Sequence, residues 1–241
     1  MPSILIDDLV AANHILFDQG IVDAFGHVSA RHPLRVDRFL LACNVAPSLV
    51  GPQDIVEFDL DAAPVRADDR RLYAERFIHS EIYRARPDVN AVVHSHAASL
   101  LPFSIVRAAP LQPVCHMSGF LSGGAPVFEI RDVAGLESDL LVRNRELGAA
   151  LARVLGDAAL VLMRGHGATT VAATLPLAVY RAVYADVNAR IQLVAERRGP
   201  ITFLTEAEAE AEADATAAAN DTQVDRPWRL WRAQARRARG G

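Results

Sequence analysis

Apolar positions recur every three or four residues over 4–19, and Gly20 ends the run, so the chain is predicted to open on an amphipathic helix. The pattern then shortens. Residues 25–30 and 39–41 read as strands joined by a polar turn at 31–37 around Pro33, and 55–58 reads as another strand. Residues 73–84 return to helical spacing and stop before Arg86-Pro87, because proline disfavours helical backbone in the residue ahead of it. A short buried strand at 91–93 runs straight into His94-Ser95-His96, after which 97–101 turns toward a helix. Residues 137–155 are predicted as one helix closed by Gly156-Asp157, 159–163 as an apolar strand, and 176–197 as a long helix. Strands and helices alternate along the chain, which predicts an α/β or α+β class in one domain.

The last part of the chain has a different texture. Residues 206–220 are rich in Ala and Glu, and Trp228 and Trp231 follow on a basic background. Three residues apart, the two indoles share a helix face, and they are expected to dock on this or a neighbouring subunit, with a part in closing an active site as the alternative.

Composition narrows the chemistry. Hydrophobic residues make up 51% of the 241, enough for a sizeable core. A net charge of −4 and 6% aromatic residues argue against nucleic acid as a partner. Cys43 and Cys115 do not make a disulfide framework, so a reduced, cytoplasmic setting is expected. Neither a secretory leader nor an 18-residue apolar run is present, so no membrane partner is expected. All 25 basic residues are arginine. A lysine Schiff base is therefore excluded, and a carbanion or enolate formed here needs another electron sink, for which a metal is the obvious choice.

His94-Ser95-His96 is the sharpest motif, since alternate strand residues face one way and both imidazoles can meet one ion. Arg164-Gly165-His166-Gly167 places a third histidine at the end of a buried strand, where glycine lets backbone approach closely. Glu75 and His79, four apart on a helix, add a carboxylate for ligation or proton transfer and a second titratable group. Three protein ligands with a position left open is the catalytic arrangement.

Several runs occur together in a recognisable order: Gly26-His27-Val28-Ser29-Ala30-Arg31, then Glu75 to His79, Arg86-Pro87-Asp88 to His94-Ser95-His96, and Arg164-Gly165-His166-Gly167. From about residue 5 to residue 200 the chain resembles the class II aldolase/adducin family. The resemblance implies a three-layer α/β/α domain around a mainly antiparallel sheet, here residues 1–204, with 205–241 as an appended segment. It also implies a homotetramer with sites between subunits, a divalent metal (manganese, zinc, magnesium or iron) on His94, His96 and His166, and Glu75 as the acidic residue beside it.

The departures from the sugar-phosphate members carry information. His27 stands where they have Asn, Asn44-Val45-Ala46-Pro47-Ser48 replaces their Ser-Gly phosphate loop, and Tyr73-Ala74 replaces a Ser pair. The hydroxyls and glycine amides that would cradle a phosphate are missing. Arg70, Arg71, Arg31 and Arg35 offer instead forks that suit carboxylates. Together with Pro113 to Met117 and Gly124 to Phe128, the set is similar to the family's branch of hydroxy-methylpyridine-dicarboxylate and dihydroxyphthalate decarboxylases. On that resemblance the expected activity is a metal-dependent decarboxylase of a small hydroxylated aromatic or pyridine dicarboxylate. Glu75, His79 and His27 are then the candidate acid/base groups, and Ser29, Arg71 and His116 the candidates for holding substrate. An aldolase, epimerase or dehydratase on an unphosphorylated sugar, an iron-dependent oxygenase, and an adducin-like interaction module remain the alternatives.

Overall fold

The computed structural model describes residues 3–217 and 222–240. Its centre is a seven-stranded sheet in the order β3-β2-β1-β4-β7-β6-β5. The strands are β1 (His27–Arg31), β2 (Arg38–Ala42), β3 (Ile55–Asp59), β4 (Ala91–Ser95), β5 (Val127–Phe128), β6 (Leu160–Met163) and β7 (Gly167–Ala172). Every neighbouring pair is antiparallel except β5 with β6.

Period-two side chains give each face of the sheet its cover. Val28, Ala30, Ala91 and Val93 point to one face, where they pack with α1 (Ser3–Asp18), α6 (Leu175–Glu196) and α8 (Thr222–Ala238). Phe39, Leu41, Val92, Val161 and Val171 point to the other, against α2 (Arg76–Ala85) and α5 (Arg145–Leu155). The expected three layers, in one domain around a mainly antiparallel sheet, are what the structure contains. Short helices α3 (Leu101–Ile105) and α4 (Arg131–Ala134) fill connections, and α7 (Glu206–Ala217) lies along the kinked 3-10 stretch His116–Leu121. Among the described residues no helix is long and apolar enough to cross a membrane, and both cysteines are free.

The structure departs from the sequence reading at three places. The helix predicted at 137–155 begins only at Arg145, because Asn144 adopts extended backbone and its side chain accepts from Leu147 N–H as an N-cap. The stretch ahead of it is irregular, with Leu140 at φ 68°. Residues 73–75 are outside α2, which starts at Arg76 with Glu75 in the cap position. Strand β7 carried no prediction, since Gly167-Ala168-Thr169-Thr170-Val171-Ala172 is buried on both faces and shows no alternation.

The tail is woven into the main body. Trp228 and Trp231 are buried in the cluster that holds Leu9, Leu16, Ala178 and Val179. Arg232 pairs with Asp8 and Arg239 with Asp18, tying α8 to α1. The two indoles thus dock within their own chain. Residues 218–220 of the Ala/Glu-rich stretch lie outside the described residues.

Candidate metal centre

The register of three central strands lays out the site. His27 on β1 sits directly opposite His94 on β4, and His94 directly opposite Thr169 on β7. Side chains paired this way share a face. His96 follows β4 by one residue, and His166 sits in the β6–β7 turn, aimed by Gly165 at φ +66°.

These placements converge the imidazoles. His96 Nε2 lies 3.1 Å from His94 Nε2 and 3.0 Å from His166 Nε2. Glu75 brings its Oε2 to 3.6 Å from His94 Nε2 and 3.5 Å from His166 Nε2. The ligating atoms of Glu75, His94, His96 and His166 all fall within 4.8 Å of one another. A capping side chain at this position turns back to its own helix. Here Glu75 makes no such bond, and its Oε1 accepts from Val142 N–H at 3.0 Å instead.

The partners behind the rings fix which nitrogens face inward. His166 Nδ1 donates to the Leu140 carbonyl at 2.9 Å, so in the neutral ring Nε2 is a bare lone pair. Thr169 gives its proton to Met163 Sδ at 3.5 Å and accepts from His94 Nδ1 at 3.3 Å, which leaves His94 Nε2 bare as well. One proton on His96 Nε2 cannot satisfy two lone pairs and a carboxylate, whereas one cation can. Nitrogens bound at ~2.1 Å and at right angles lie ~3.0 Å apart, the spacing found here. The donor set therefore fits a divalent ion, and backbone or hydroxyl groups behind two imidazoles supply the outer support such sites use.

Electrostatics point the same way. Burial raises the Glu75 carboxyl, but the pull of His166 and His94 outweighs it and holds the group at about 2. His166 is lowered by burial and raised more by Glu75, so the net shift is upward. His94 is driven well down, first by burial, and His96 is lowered by burial and by His166. His94 is fully buried while His96 is partly exposed, so the cluster opens outward at His96.

A second polar row runs behind the first. His27 stacks near His94 with ring centres 4.9 Å apart. His27 Nδ1 lies 2.6 Å from His79 Nε2, and His79 Nδ1 lies 2.6 Å from Ser29 Oγ, which lies 2.7 Å from the Tyr83 hydroxyl. His79, expected as an acid/base group, is wholly enclosed and reaches the site only through His27. Ser29, expected to hold substrate, is likewise buried with its hydroxyl taken up by His79 and Tyr83. Arg31 is buried and spends its guanidinium on the carbonyls of Val89, Val36, Tyr83 and Arg86. Arg70 pairs with Asp68 and Arg35 with Asp37. Arg71 remains exposed, four residues ahead of Glu75. His116 is exposed and lines a different hollow of about 340 Å³ with Tyr180, Tyr184 and Trp231.

Sequence reasoning missed the supporting groups. Leu140 and Val142 act through their backbone, which no residue type announces, and Thr169 lies on the strand that was not predicted. Tyr83 was the legible one, one turn beyond His79 on the same helix face.

The sequence matches the model of the Class II Aldolase and Adducin N-terminal domain over residues 7–193. It is 40% identical to the decarboxylase tropJ of Talaromyces stipitatus, across 95% of this chain and 93% of that protein. It is 30% identical to the 3,4-dihydroxyphthalate decarboxylase of Arthrobacter keyseri, across 79% of this chain and 78% of that one. The structure is similar to an aldolase II superfamily protein from Pseudomonas syringae, with a TM-score of 0.79 and 25% identity over 99% of this chain and 95% of that one. It also shares the fold of an L-fuculose 1-phosphate aldolase from Glaciozyma antarctica, with a TM-score of 0.78 and 22% identity over 98% and 90% of the two chains.

Proposed function

The chain belongs to the class II aldolase and adducin family, and on that premise we propose that it is a metal-dependent decarboxylase of a hydroxylated aromatic or pyridine dicarboxylate. It is an enzyme of the lyase kind, and relatives that align along most of its length carry decarboxylase names. The observation that carries the reading is the convergence of His94, His96, His166 and Glu75 on one point that opens outward at His96. A closed, fully buried set would suit a structural ion, and an adducin-like module would have no use for the set.

Under this proposal His94, His96 and His166 hold the ion and Glu75 completes or borders the set. Bound there, a divalent cation supplies a Lewis acid that draws off the negative charge left when carbon dioxide departs. The chain's own residues do the rest. His27, packed on His94, faces the reactant and returns a proton to the ring carbon. Arg71 is free to grip a second carboxylate with its fork. Ser29 and His79 act from behind, and His116 is left without a role in this subunit's site. Against a phosphosugar, the amides of Asn44, Val45 and Leu49 are already spent on the carbonyls of Arg71, Cys43 and Ala46. The family resemblance further supports a homotetramer, which light scattering checks.

The test is carbon dioxide release from a panel of hydroxyphthalates and hydroxypyridine dicarboxylates, with manganese, zinc, magnesium or iron(II) added to chelator-stripped protein. Turnover that requires metal supports the proposal. Absence of turnover with every pair, or aldehyde release from unphosphorylated sugars instead, overturns it.

A further inference from the structure

We infer that His79 is a positioning residue which, with Ser29 and Tyr83 behind it, holds His27 in the tautomer protonated on Nε2, making His27 a hydrogen-bond donor to the site rather than a fourth imidazole ligand. The inference deepens the decarboxylase reading and rests on it only for what His27 does, not for how His27 is held.

The protons along this row can be counted. Four side chains stand in series, His27, His79, Ser29 and Tyr83, with spacings of 2.6, 2.6 and 2.7 Å. All four are buried. Among the described residues the Tyr83 hydroxyl has Ser29 as its hydrogen-bond partner and no other, and Ser29 bonds only to Tyr83 and His79. Burial raises the Tyr83 phenol well above its ordinary range and lowers His79 to about 3, so the phenol keeps its proton and His79 carries only one.

Only one direction satisfies every donor between Tyr83 and His27 Nδ1, and it leaves His27 Nε2–H facing the site. Tyr83 O–H donates to Ser29, Ser29 O–H donates to His79 Nδ1, and His79 Nε2–H donates to His27 Nδ1. In the reverse direction His27 Nδ1–H donates to His79 Nε2, His79 Nδ1–H to Ser29, and Ser29 to Tyr83, which leaves the phenol proton with no acceptor. If Tyr83 and His79 both donate to Ser29, the serine proton is stranded instead. Leaving a buried O–H unmet forfeits its full desolvation cost, a bias of about tenfold or more between the two directions.

Neighbours hold the row in place. Phe39 stacks on His79 at 6.4 Å, Tyr73 lies 4.7 Å from His27, and Arg31 sits 4.7 Å over the Tyr83 ring while donating to the Tyr83 carbonyl. The consequence falls on His27. Its Nδ1 is occupied as an acceptor, so its neutral ring carries the proton on Nε2, at the opposite edge. Metal ligation needs a bare nitrogen, so an imidazole 4.9 Å from His94 is kept out of the coordination set.

The test is long-range proton–nitrogen NMR on histidine-labelled protein, metal-free and with zinc alone, which separates protonated from bare ring nitrogens. Loss of one spin system in His27→Gln assigns His27. The expected wild-type pattern is a protonated Nε2 and a bare Nδ1. His79→Gln, which keeps an N–H aimed at His27, retains that pattern. His79→Leu loses it, giving His27 a mixture of the two forms and, with any hydroxyphthalate that is turned over, a kcat about tenfold lower at little change in KM. A wild-type His27 protonated on Nδ1 overturns the inference, as does a folded His79→Leu with an unaltered pattern. Should His79→Leu not fold, the wild-type spectrum decides. That spectrum reads the inference even if no decarboxylation is found, so the two fail separately.

Discussion

Gly167→Ala tests whether the metal centre depends on how closely β4 and β7 approach. A methyl group at Gly167 would sit 2.1 Å from the Ser95 carbonyl oxygen and 3.1 Å from His96 Cδ2, and contacts below 3.0 Å essentially do not occur. The obstacle is backbone, so it cannot swing aside as a side chain would. The strands must part by about 1 Å at the one place where His94, His96 and His166 all attach, whereas ligand distances tolerate only about 0.2 Å. Disturbing a site's support to this extent costs at least about 10–100-fold in metal affinity. The overpacking itself costs ~1–3 kcal/mol, which lowers Tm by roughly 2–12 °C in a chain of this length. Zinc affinity by chelator competition and Tm with and without zinc are the measurements. A variant that binds zinc like the wild type and melts at the wild-type temperature refutes the reasoning.

Further predictions address other parts of the molecule. Glu75→Gln removes the one carboxylate that, among the described residues, clusters with the three imidazoles and lowers metal affinity by about 10–100-fold, read by the same competition assay. His79, held at about 3 when folded against 6.5 when unfolded, takes up its proton only on unfolding, so its contribution is intact above pH 6.5 and falls as pH drops toward 3. Between pH 7.5 and 5.5 that one group removes ~1.4 kcal/mol of stability, a slope that urea melts of His79→Gln should lack. Trp231→Ala destabilises by ~3–5 kcal/mol through loss of core contacts, with zinc affinity of the folded fraction unchanged, since the indole lies on the face of the sheet away from the metal ligands.

The sequence made the convergence of the imidazoles legible because strand periodicity and a flanking glycine constrain where an imidazole can point. His94 and His96 were readable from spacing, and His166 from Gly165 and Gly167. What stayed hidden is what holds the rings. The Leu140 carbonyl and the Val142 amide serve His166 and Glu75 from a bent segment that apolar spacing made look like the start of a helix, although Asn144 marked the true beginning. Ser29 and His79 were assigned to the open site because their types suit chemistry there. Strand alternation alone could have placed Ser29 on the His27 face, but only the packing of α2 shows that Tyr83 and His79 seal it off. Residue types argued against a phosphate cradle, and the spent amides at Asn44, Val45 and Leu49 add a backbone reason to that proposal.

The docking of α8 onto α1 has a consequence for biosynthesis. Arg239 and Asp18 meet across 221 positions of sequence, and the indoles of Trp228 and Trp231 fill a layer that α1 cannot complete by itself. While the polypeptide is still emerging from the ribosome, part of the apolar face of α1 therefore stays uncovered until residues 228–239 have been made. Such long-range closure makes for slow folding and a nascent chain that invites chaperones, and a chain cut before α8 would be prone to aggregation.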